Sequence, residues 1–148
     1  KFLGGMNMRR FHPYLSAIAL TVCSPAFANN EDGSYTLQNA PVQSEIAMLC
    51  AFENKCLDAE ACNNTTFSLE LKGRAGGLND VDVVVQAELI SEIGDTILPG
   101  ARSGEAMSLS GGTFDARHLL TIANDGYARY TMHYSDGPIA ISYLGACS

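Results

Sequence analysis

Residues 45–62, EIAMLCAFENKCLDAEAC, hold three of the chain's five cysteines at an even spacing of six. The first half of the stretch alternates. Ile46, Met48, Cys50 and Phe52 share one parity, and Ala47, Leu49 and Ala51 share the other. A period of two is the mark of a strand, whose successive side chains point to opposite faces. A helix is the rival, because Ala, Met, Leu and Glu all favour it. No capping box precedes the run, and both parities are apolar, so the expectation is a strand over residues 45–53. Residues 54–64 then read as a polar loop, with room for a helical turn over 57–61.

The same alternation recurs along the chain. Residues 65–72 put Phe67, Leu69 and Leu71 on one face and Thr66, Ser68, Glu70 and Lys72 on the other. Residues 73–80, GRAGGLND, read as a long hairpin loop. Residues 81–90 resume the pattern with Val81, Val83, Val85, Ala87 and Leu89 inward. Upstream, residues 34–38 form a short strand candidate that Asn39-Ala40-Pro41 breaks. Downstream come a turn over 91–95, a short strand at Thr96-Ile97-Leu98 and a turn at Pro99-Gly100. A weaker strand over 105–110 carries Met107 and Leu109 and ends at Gly111-Gly112.

The last third carries the clearest register. Strands over 118–123, 127–134 and 139–146 are separated by Asn124-Asp125-Gly126 and Ser135-Asp136-Gly137-Pro138. A three-residue first loop opposes Ile122 to Ala128 and Leu120 to Tyr130; a two-residue loop would mix the faces. The three-residue form is therefore expected, with Gly126 at the left-handed bulge position. In the second hairpin Tyr134 opposes Ile139, Met132 opposes Ile141 and Tyr130 opposes Tyr143. Pro138 lacks an N–H, so that loop takes a wider four-residue form.

Arg9 and Arg10, an apolar run over 14–22, Pro25 and the Ala26-Phe27-Ala28 site together read as a secretory signal peptide. On this reading KFLGG lies upstream of the true start, which is Met6 or Met8. Residues 1–28 are then removed, and 29–148 form a single exported domain. The alternative, lipidation at Cys23, is disfavoured by the bulky Val22 before it. Removing Lys1, Arg9 and Arg10 from nine basic residues leaves six against sixteen acidic ones, a net charge near −10. Such a surface repels phosphate backbones and anionic headgroups, which argues against nucleic acid and membrane-surface partners and for a cationic protein.

Four cysteines remain beyond residue 28, and an even count in an exported chain predicts two disulfides. A metal site is the competitor, but zinc sites favour closer pairs and need thiolates that an oxidising compartment removes. Cys147 shares parity with Ile139, Ile141 and Tyr143, and Cys50 with Ile46 and Met48. Both therefore point inward, which pairs Cys50 with Cys147 and leaves Cys56 with Cys62. About eight short strands at regular spacing predict an all-β fold. A small antiparallel barrel is preferred over a two-sheet sandwich, because the long bridge ties the first strand to the last.

Candidate chemistry is sparse. His118 falls inward at the core margin, where a hydrogen-bonded structural histidine is expected. His133 shares a polar face with Arg129, Thr131 and Ser142, and this cluster is the candidate binding site. As a hydrolase it would need Ser142 within reach of His133 and an orienting acid, and no G-x-S-x-G elbow is present. Residues 73–77 lack the ending of a phosphate loop, and residues 76–80 offer only one copy of a glycine-rich calcium-binding pattern that needs stacking. The pairs Asp58 with Glu60 and Glu88 with Glu92 read as solvated charge. Tyr130, Tyr134 and Tyr143 share the core parity. No catalytic residue, cofactor or metal is assigned.

The pattern L-C-A-F-x-x-x-C-x-x-x-x-x-C-x-x-x-x-F over 49–67, with GYARY at 126–130 and DGPIAISYLGAC at 136–147, resembles a group of small exported proteobacterial proteins without assigned activity. In architecture the chain is also similar to periplasmic lysozyme inhibitors, which are small disulfide-tied antiparallel β-domains. Their inhibitory loop has no counterpart in these residues, so the resemblance carries over no site. The expectation is a periplasmic or secreted, non-enzymatic binding domain. Its alternatives are a small hydrolase using His133 and Ser142 and an envelope-associated structural module.

Overall fold

Alternating apolar side chains along nearly every segment demand a two-faced sheet, and a closed sheet is what forms. The computed structural model describes residues 35–148; the expected signal peptide and Cys23 lie outside them. Nine strands follow in chain order: β1 (Val42–Leu57), β2 (Asn63–Asn64), β3 (Ser68–Gly77), β4 (Asp82–Ser91) and β5 (Thr96–Ser103), then β6 (Ala106–Gly112), β7 (Ala116–Ile122), β8 (Tyr127–Tyr134) and β9 (Ile139–Cys147). Each of β3 to β9 pairs with its sequence neighbour, all antiparallel, and β9 pairs back onto β1. The result is an eight-stranded up-and-down barrel, with the two-residue β2 appended to the end of β1.

Closure depends on the length of β1. Its first part pairs with β3 from Val42↔Gly77 to Ala51↔Ser68. Its second part pairs with β9 from Cys50↔Cys147 to Leu57↔Ile141, with a bulge between Phe52 and Asn54. One strand therefore has two different partners, and no free edge remains on the barrel. Leu49 and Ser148 exchange both backbone hydrogen bonds, 2.9 and 3.0 Å, so the adjacent Cys50–Cys147 pair is a closely spaced non-hydrogen-bonded one. The two Cα atoms are 3.9 Å apart and the disulfide spans them. Cys56–Cys62 closes the connection after β1. Both pairings are those read from parity.

An eight-stranded barrel is just wide enough for its side chains to fill it. Phe52, Phe67, Tyr130 and Tyr143 meet at the centre, with ring centroids 4.4 to 6.3 Å apart. Leu69, Leu71, Val85, Leu89, Leu98, Leu109 and Leu120 pack around them, all buried. The outward positions of β3, Ser68, Glu70, Lys72 and Arg74, are polar or charged. The inner side is mainly apolar, whereas the outer face is mixed, with Leu49, Val84, Ile97 and Leu119 exposed on other strands. No helix among the described residues is long and apolar enough to cross a membrane.

Several local expectations are corrected. The loop expected over 73–80 shrinks to 78–81, because Gly73 to Gly77 belong to β3. A Cβ at Gly73 would run into the Gln86 carbonyl and Ala87, so glycine here lets two strands approach closely. Pro99-Gly100 is likewise strand, not turn. The β5–β6 ladder stops at Gly100↔Leu109, and Pro99, without an N–H, lies just beyond that end. Gly100 faces inward where a Cβ would strike the Ser108 carbonyl. Gly111 and Gly112 are the last two residues of β6, which runs through the pair instead of stopping before it. At Gly73, Gly100, Gly111 and Gly112 an added Cβ would strike neighbouring backbone, so glycine marks a close approach of strands rather than a loop.

Val81 is 52% exposed, in the turn before β4, so the inward series starts at Val83. The strand expected over 34–38 is, in its described part, a turn closed by Asn39 N–H donating to the Thr36 carbonyl. The helical turn expected over 57–61 is absent; β1 runs to Leu57, and Glu60 N–H donates to the Leu57 carbonyl. The hairpins of the last third stand as read, with Ile122↔Ala128, Tyr130↔Tyr143 and Tyr134↔Ile139 in register and Gly126 at φ 83°.

Candidate functional site

Arg129, Thr131 and His133 occupy alternate positions on the outer face of β8, and Ser142 faces outward from β9 beside Thr131. Register brings Thr131 Oγ1 and Ser142 Oγ to 3.2 Å. His133 sits opposite Ala140 and Arg117, one step further along the strands, and no hydrogen bond joins it to Ser142. The cluster therefore contains one hydroxyl pair with an exposed arginine and an exposed histidine on either side of it. Without a base on the serine, this arrangement does not activate a nucleophile.

The inner face holds His118 and Arg102, one toward each end, while the exposed Lys55, turned to this side by the bulge in β1, keeps its Nζ 5.9 Å from the Tyr143 ring centroid. His118 lies in the row with Met132 and Ile141. Its Nδ1 is 2.6 Å from the Tyr130 hydroxyl, and the rings stack with centroids 5.9 Å apart. Burial, reinforced by the Arg117 charge, holds the His118 pKa below its ordinary value. Burial, with Tyr134 and Tyr143 nearby, pushes Tyr130 well above its ordinary value. At neutral pH the phenol thus keeps its proton beside a neutral imidazole, and the two share one hydrogen bond. The Nδ1 contact makes His118 a hydrogen-bonded histidine at the core margin.

Arg102 is the second inward base, and the sequence reading passed over it. The expected turn at Pro99-Gly100 hid its parity. Once β5 runs through to Ser103, Arg102 aligns with Val83 on one side and Met107 on the other, both buried. Its Nε is buried and has no hydrogen-bond partner. Lys72 and Glu70, 2.9 Å apart, form the one ion pair among the described residues, so Arg102 lacks a carboxylate partner there.

The two ends of the barrel differ in what surrounds these bases. Arg102 lies at the end formed by turns 78–81, 104–105 and 123–126. There a cavity of about 1390 Å³ has Val83, Met107 and Ile122 on its inner wall, and Leu37 and Ala40 lead into it from before β1. It also runs over the rim, taking in the outer residues Val84, Ala101 and Thr121. The other end is formed by turns 92–95, 113–115 and 135–138 and by residues 58–62. Exposed carboxylates stand here at Glu92, Asp95, Asp115, Asp136, Asp58 and Glu60, twice the three, Asp80, Glu105 and Asp125, on the turns of the Arg102 end. Phe114 is 87% exposed at this acidic end, and Ser135 N–H donates to the Asp115 carbonyl, which joins two of the loops.

No group of His, Cys, Asp and Glu able to hold a metal ion occurs among the described residues. Comparison of the chain with protein-family models, curated proteins and solved structures finds no match.

Proposed function

We propose that this chain is an exported, non-enzymatic binding domain that engages a cationic protein through the acidic end of its barrel. The observation that carries the reading is Phe114. A phenyl ring left almost wholly in water at a hairpin tip, flanked by Asp115 and by the hydrogen-bonded loop of Asp136, combines an apolar anchor with a ring of negative charge. Charge of this sign steers and orients a basic partner, while burial of the ring supplies affinity. Short hairpins on a closed, doubly bridged barrel hold the tip in place before binding, which lowers the ordering cost. Two disulfides suit an oxidising compartment such as the periplasm or the extracellular space.

The test is a titration with lysozyme, a cationic protein, at about 0.01 M and about 0.15 M salt, where the Debye length is roughly 30 and 8 Å. Tighter binding at low salt, weakened by Phe114→Ala and by the Asp115→Asn/Asp136→Asn pair, supports the reading. An absence of binding at low salt, or binding indifferent to salt and to both variants, would overturn it.

A further inference from the structure

We infer that the mouth at the opposite end is a binding site for a single-chain amphiphilic carboxylate, with Arg102 holding the carboxylate and the apolar mouth holding the alkyl chain. A guanidinium faces inward between Val83 and Met107, its Nε buried and without a partner, in a chain with sixteen acidic residues. Had charge neutralisation been the only requirement, a carboxylate of the protein would have met it. Buried donors are normally satisfied, so an orphaned one inside a cavity points to a group supplied from outside.

The chemistry of the walls selects that group. Arg102 lines the cavity, and a guanidinium whose Nε is already covered can still hold a planar carboxylate by charge-assisted N–H bonds from its Nη groups. Val83, Met107, Ile122, Leu37 and Ala40 offer an alkyl chain nothing but hydrocarbon contact. Methionine adds adaptability to a flexible chain. Asp82 stands on the same rim, its Oδ1 accepting the Ser103 hydroxyl at 2.6 Å. That charge disfavours a dianionic phosphate monoester and leaves a monoanion as the matched head. Arg129 lies on the outer part of the same cavity, three strands away from Arg102, too far to share one carboxylate. The site is at the far end from Phe114 and involves no protein partner, so it stands or falls separately from the acidic surface.

The experiment uses the full chain, delipidated, with a fluorescent fatty acid, 11-(dansylamino)undecanoic acid, displaced by oleate or by oleyl alcohol. Oleate is expected to compete at least about tenfold better than the alcohol, the scale of one charge-assisted pair. Arg102→Met should abolish that preference while the alcohol binds as before. Arg102→Lys should keep part of it, and Arg74→Met, on the outer face of β3, should leave it unchanged. The acid-to-alcohol ratio on the unmodified chain tests the site even if a variant fails to fold. Equal binding of acid and alcohol, no binding of the probe, a preference that survives Arg102→Met, or stronger competition by a lysophospholipid than by oleate each overturns the assignment.

Discussion

His118 and Arg102 are the same kind of intrusion, a basic side chain pointing into an apolar barrel, and they are resolved in opposite ways. His118, toward the acidic end, becomes neutral and shares a 2.6 Å hydrogen bond with the Tyr130 hydroxyl. Arg102, at the mouth, cannot lose its charge and finds no partner for Nε. The difference follows from intrinsic basicity: imidazole escapes desolvation by deprotonating, whereas guanidinium does not. A titratable base can therefore be built into a core as structure. A permanent cation with no internal partner is a standing cost that only a ligand or solvent offsets.

The largest test of that contrast concerns the covalent ties, one toward each end. In the chain-entropy picture the bridge spanning 97 residues contributes about 4.7 kcal/mol, and the short one spanning six contributes about 2.4 kcal/mol. Denaturant unfolding of Cys50→Ala/Cys147→Ala should therefore show roughly twice the loss seen for Cys56→Ala/Cys62→Ala. Equal losses would mean that the β1–β9 seam holds without its staple.

In the core between the two bases, truncation of Leu120, fully buried beside Tyr130, should cost about 2–5 kcal/mol by the same measurement. The His118 contribution is smaller and has a definite sign. Its folded pKa lies below the unfolded value near 6.5, so the unfolded chain binds the proton first. The contribution is complete above about pH 6.5 and is lost as pH falls from there through the lowered folded value. His118→Gln, which keeps an acceptor for Tyr130, should flatten that part of the stability–pH curve relative to the unmodified chain.

At the unsatisfied end the expectation reverses. Arg102→Met removes an orphaned donor and keeps the aliphatic volume, so stability should rise by about 1 kcal/mol while carboxylate binding is lost. A fall in stability would show that the guanidinium has a partner in solution. Smallest of all, Phe114→Ala should change stability by less than about 0.5 kcal/mol, because the ring is already in water. A larger loss would place the ring in a packed environment and remove it as a binding anchor.

Legibility followed the rigidity of the local rules. In the last third, parity and turn length left one register that kept large side chains together, and that register is the observed one. Both disulfides followed from it. Glycine misled at 73–77, at 100 and at 111–112, because a loop and a close approach of strands ask for the same residue. Pro99 misled similarly, since a proline just past the end of a ladder costs little. Those errors concealed Arg102, whose inward parity exists only if β5 continues past Gly100. The outer cluster of Arg129, Thr131, His133 and Ser142 was placed on the correct face. Which of its members touch depended on distances that register alone does not supply.

By itself the amino-acid sequence determined the strand class, the inward parity of most segments, the cysteine pairing and the strongly acidic balance, because each rests on neighbours two residues apart or on simple counting. Tertiary structure alone decided that β1 divides its pairing between β3 and β9, and that an arginine is stranded at one mouth while a phenyl ring stands among carboxylates at the other. Those outcomes depend on closure, which brings together residues that no local period relates.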